Sequence, residues 1–155
     1  MHPLLVIGWG NPSRGDDALG PLFVEQLQAA AGDAPVEWLT DYQLQVEHAL
    51  DLAGRERVLF VDAATHCTAP FEVTQVQPAR DASFTTHALS PAALLQVYQQ
   101  VGSGPAPPCS LLAIRAEHFE LGQPPGPAAL AHLAQALQWG QRWLAQGGTA
   151  EPGHA

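Results

Sequence analysis

Lysine is absent from this sequence. All six basic residues are arginines, set against 15 acidic residues for a formal charge of -9. Without lysine there is neither a P-loop lysine nor Schiff-base chemistry. A chain this acidic repels phosphate backbones, which argues against nucleic acid as a partner. Cysteine is scarce as well: Cys67 and Cys109 cannot build a disulfide framework, and they fit a reduced compartment. Charges or prolines interrupt every apolar stretch before it reaches bilayer length, so no membrane segment is expected. Met1-His2-Pro3 carries no basic region and no cleavage site of small residues follows. A secretory signal is therefore not expected, and a cytoplasmic location is. There is no Gly-x-Ser-x-Gly elbow for a serine hydrolase and no His-Glu-x-x-His helix for a zincin.

What is present suits one globular domain: 155 residues, 46% hydrophobic, with no internal repeat. The domain is expected over residues 1–146, followed by a flexible tail at 147–155, which is small, polar and rich in Gly and Pro. Five segments read as strands. Leu4–Ile7 and Arg57–Val61 are continuous apolar runs, as for strands buried on both faces. Val36–Leu39 and Phe71–Val76 alternate, and Ser110–Ile114 is the fifth. Four segments read as helices, at 17–31, 44–53, 90–101 and 127–146, with Gly32, Gly54 and Gly102 as stops and Ser90-Pro91 as a start. This order predicts a three-layer α/β fold: a five-stranded, mostly parallel twisted sheet with helices on both faces. About eight residues link the third and fourth strands, too few for a parallel crossover, so 71–77 is expected as an antiparallel edge strand. Sites in such sheets form beyond the carboxyl ends of the parallel strands, here Gly8–Asn11, Asp62–Ala64 and Arg115–His118.

The segment from Gly8 to Gly20 follows a buried strand and opens a helix. It is not a dinucleotide fingerprint, because Ser13 holds the third glycine position and two carboxylates stand where a pyrophosphate would bind. Asp16 and Asp17 could simply cap the helix. The flanking glycines, however, suggest a backbone held in a special shape. Asp16 is taken as the cap and Asp17 as the functional ligand. Asp62 ends a buried strand, where a charge must be solvated, paired or bound to a metal. His87 lies in the loop before a helix. Alone it would pass for a surface residue, but with two carboxylates it completes a common transition-metal ligand set. His66, Cys67 and His118 rank lower; His118 could line the cleft.

These residues carry a resemblance. Gly8-x-Gly10-Asn11 followed by Asp16-Asp17-Ala18-Leu19-Gly20, then Val61-Asp62-Ala63, then His87 three residues before Ser90, is similar to the motif set of the nickel–iron hydrogenase maturation proteases. The similarity runs over about residues 4–146. Members are endopeptidases that remove a C-terminal extension from the hydrogenase large-subunit precursor once nickel is inserted, cutting after a His or Arg just beyond the last cysteine ligand. The resemblance implies that Asp17, Asp62 and His87 recognise nickel carried by the precursor, with no organic cofactor. It also implies a catalytic role for Asp17 and Asp62, with Asp16 as a further candidate. A carboxylate could activate water directly, or a metal could do so. If Asp16 and Asp17 approached one another, one could act as an acid of raised pKa. The loop Thr40–Gln45 departs from the Gly- and Thr-rich pattern of many members, which suggests a subgroup serving a cytoplasmic NAD-linked hydrogenase. The chain is expected to act as a monomer. The alternative function is a non-catalytic nickel-sensing checkpoint that binds the precursor without cutting it.

Overall fold

The computed structural model describes residues 1–79, 89–102 and 104–146. His87 and the tail at 147–155 lie outside them. Five strands form one sheet: β1 (Leu4–Trp9), β2 (Val36–Asp41), β3 (Arg57–Ala64), β4 (Phe71–Gln75) and β5 (Cys109–Arg115). Their order across the sheet is β2-β1-β3-β5-β4. All pairings are parallel except β4 with β5, so the short connection does produce an antiparallel edge strand. Three α-helices accompany the sheet: α1 (Leu19–Ala31), α2 (Pro91–Val101) and α3 (Pro127–Ala145).

Side-chain alternation sorts the strands into two cores. Leu4, Val6, Leu59, Val61, Leu112 and Ile114 face α1 and α3, where Phe23, Leu27, Trp139 and Trp143 meet them. Leu5, Ile7, Trp9, Val58 and Phe60 face α2 and the segment after β2, where Leu44, Leu52, Leu94 and Leu95 meet them. β1 is buried along its whole length, as an apolar strand covered on both faces must be. α1 sits very close to the sheet. A Cβ on Gly20 would lie 2.4 Å from the Trp9 carbonyl oxygen, and one on Gly8 would lie 2.5 Å from the Gly20 carbonyl oxygen. These two glycines let backbone pack on backbone, which brings the α1 N-terminus to the carboxyl end of β1.

Two expected helices differ in detail. The one expected at 17–31 begins as a 3-10 turn, Gly15–Ala18, before α1. The one expected at 44–53 is a 3-10 helix, Val46–Leu52. Its tighter pitch of three residues per turn aligns Ala49 with Leu52, and both are buried, while Leu50 turns outward and is 78% exposed.

Candidate active site

β1, β2 and β3 end side by side, and the turn after β1 folds over their carboxyl ends. Gly10, at φ 145, makes that turn possible; a Cβ there would sit 1.9 Å from the Asp17 carbonyl oxygen. The Gly10 N–H donates to the Asp41 carbonyl at the end of β2, 3.0 Å away. The Asn11 N–H donates to Asp17 Oδ2 at 2.8 Å, and the Asn11 side chain accepts from the Ser13 N–H at 2.9 Å. Asp17 is thus aimed by the turn itself.

Asp62 lies along β3 in phase with Val58 and Phe60, so it stands on the α2 side of the sheet. Its Oδ1 accepts from the Ala63 N–H at 2.8 Å. Trp9, edge-on to Phe60 with ring centroids 6.1 Å apart, roofs the core beneath it. Burial pushes the Asp62 carboxyl up to about 7; the Ala63 N–H opposes this, the Asp17 charge adds to it and the Trp9 indole opposes it. Asp17 and Asp62 therefore meet at the carboxyl edge of the sheet, close enough to feel each other's charge. A pair of carboxyls with one held near neutrality can donate or accept a proton at physiological pH.

Asp16 does something else. It is 1% exposed, and its carboxylate accepts from the N–H groups of Glu117, His118 and Gly126 at 2.8, 3.1 and 2.8 Å. It makes no side-chain cap to its own helix, so the cap assigned to it from sequence is corrected. Burial alone would raise its pKa, but the three backbone donors together hold the carboxyl below its usual range. An Asp16–Asp17 acid pair is accordingly corrected too. The raised carboxyl is Asp62, and Asp16 clamps the loop after β5 beneath the signature turn. That clamp continues through the Gly15 and Asp16 N–H groups, which donate to Gln123 and His118 carbonyls.

His87 falls outside the described residues. Among those residues no group of three or more His, Cys, Asp or Glu side chains is arranged to hold a metal. The candidate donors among the described residues at this edge, Asp17 and Asp62, are carboxylates. His66 is exposed. The Cys67 thiol is buried against the Ala64 and Ala113 carbonyls, and burial pushes its pKa up. Cys109 is pushed up to about 12 by burial, so both free thiols are unreactive. The exposed His118 ring lies 3.9 Å from Glu117, on the loop Asp16 clamps. Sequence reasoning missed Trp9, which stood at a variable position of the signature. Trp9 could have been found from its matching place at the end of the strand beside Asp62; Asn11, already part of the signature, shapes the turn through both its backbone N–H and its side chain.

The comparisons agree on the fold. No family model and no curated protein matches the chain. Among solved structures, it is similar to the NiFe hydrogenase maturation protease HycI from Thermococcus kodakarensis, at 20% identity and TM-score 0.71, with 94% of each chain covered. It is similar to the hydrogenase maturating endopeptidase HybD from E. coli, at 25% identity and TM-score 0.69, over 94% of this chain and 93% of that one. A hydrogenase 2 maturation peptidase from a Thaumarchaeota archaeon aligns at 21% identity and TM-score 0.66, over 92% of this chain and 97% of that one. The chain thus has the fold of the hydrogenase maturation proteases over nearly its whole length.

Proposed function

We propose that this chain is an endopeptidase that removes the C-terminal extension of a nickel–iron hydrogenase large-subunit precursor after nickel insertion. The observation that carries this is the Asp17–Asp62 pair, Asp17 held by the signature turn and Asp62 by β3, at the carboxyl edge of a sheet of the fold such proteases have. Nickel enters as part of the substrate. Two carboxylates, with His87 as the proposed third ligand, are hard-to-borderline donors that complete a coordination shell rather than build one. Ionised Asp62 serves as ligand or as the base that takes a proton from the attacking water, and Asp17 holds the second position. The Trp9 indole, a hydrogen-bond partner of Asp62, helps to hold that carboxyl in place. No helix among the described residues is long and apolar enough to cross a membrane.

The test is incubation of nickel-loaded precursor with a hundredth of its amount of this protein, followed by mass spectrometry. Complete conversion to one shortened product is expected. A stable complex with the precursor left intact would favour the nickel-sensing checkpoint instead.

A further inference from the structure

β2 is the free edge of the sheet on the side where the candidate site lies. Leu4 and Gly10 donate to the carbonyls of Pro35 and Asp41, so the odd-numbered residues of β2 face β1. The N–H and C=O groups of Trp38 and Thr40 then point outward, and among the described residues no backbone partner meets them. The side chains of the same two residues line a cavity of about 460 Å³ beside α1, with Pro12, Pro21, Leu22 and Glu25. A second cavity of about 250 Å³ shares Pro12, Pro21 and Thr40 and reaches Gly10 and Asp41. The groove therefore runs along the unpaired strand and ends at the turn that aims Asp17.

We propose that this edge captures an extended segment of the protein substrate as a sixth strand, seating one side chain, basic in character, against Trp38, Leu22 and Glu25. Backbone pairing with Trp38 and Thr40 supplies affinity irrespective of sequence, and the cavity supplies selection at alternate positions. Among the described residues, Glu25 and Asp41 are the only charged ones lining the two cavities, so the groove selects for cation. The same charge disfavours a second copy of this chain, which would bring an acidic groove against another at -9 each. An extended segment lying here enters the site end-on, past Gly10. The inference rests on the proteolytic reading above.

The test uses wild type saturated with nickel-loaded large-subunit precursor. Pulse-labelled hydrogen exchange should slow at the Trp38 and Thr40 amides by tenfold or more, and leave Glu37 and Leu39, already bonded to β1, unchanged. Glu25→Arg, on the exposed face of α1, should raise KM at least tenfold with kcat unaltered. Thr40→Pro, which removes an outward N–H and its cavity-lining side chain but no bond to β1, should also raise KM. Cleavage with unchanged exchange and an unchanged KM in both variants overturns this inference and leaves the proteolytic one standing. Absence of cleavage by wild type overturns both. Protection that grows with protein concentration without precursor assigns the edge to a second copy and also overturns it.

Discussion

Two adjacent aspartates in one motif have opposite duties. Asp17 faces the cleft on a leash of one backbone bond, whereas Asp16 is buried under three. Asp16→Ala leaves three buried N–H groups without an acceptor and should cost about 3 kcal/mol, read as a lower urea midpoint at pH 7. Because its folded pKa is depressed, the stability Asp16 contributes is present above the ordinary carboxyl range and is lost as pH falls through the folded value. Asp62 has the reverse sign. Its folded pKa of about 7 exceeds the ordinary 3.8, so between those values the folded chain keeps a proton that the unfolded chain has released. Stability therefore declines as pH rises through that window, by at most about 4 kcal/mol. Asp62→Asn should abolish processing yet raise the urea midpoint at pH 8, with little change at pH 3.5. For wild type, ligand and base roles both need the ionised carboxyl, so processing should rise with pH through about 7. A rate that falls across that range would make Asp62 the general acid instead.

At the scale of elements, the site depends on how tightly α1 lies on β1 and β3. A Cβ on Gly20 would meet the Trp9 oxygen at 2.4 Å, the Trp9 nitrogen at 2.9 Å and the Val61 oxygen at 3.0 Å, all backbone. None can rotate away, so the helix must shift. Gly20→Ala should lower stability by about 1–3 kcal/mol and also cut processing, because the turn bearing Asp17 moves with the helix. A thermal melt and a processing assay on the same sample check both effects. The antiparallel placement of β4 was legible because a short connection permits nothing else. The 3-10 form of Val46–Leu52 was not, because apolar residues at 46, 49, 50 and 53 fit the α pitch as well as those at 46, 49 and 52 fit the 3-10 pitch. Packing of Ala49 and Leu52 against the α2-side core decided it.

For the molecule as a whole, affinity for nickel should reside in the complex. On the function proposed above, this chain would offer oxygen donors and the His87 imidazole, while the precursor would bring cysteine thiolates. Calorimetry should find weak nickel binding to the chain alone, and nickel-free precursor should be processed at least tenfold more slowly than loaded precursor. Processing at equal rates would remove nickel from the recognition step.

The sequence by itself determined the strands and helices, their alternation, the antiparallel edge and the neighbourhood of the site. Each of these follows from local periodicity, from connection length, or from the rule that sites gather at the carboxyl ends of parallel strands. It also singled out Asp17 and Asp62 as candidates for chemistry. Only the tertiary structure decided which of the two adjacent aspartates is the clamp, because the N–H groups that Asp16 binds lie about a hundred residues away, at 117, 118 and 126. It alone raised the Asp62 carboxyl, since burial and the nearness of Asp17 are properties of packing. And it alone left Trp38 and Thr40 facing outward, because which strand becomes an edge depends on the order of the whole sheet.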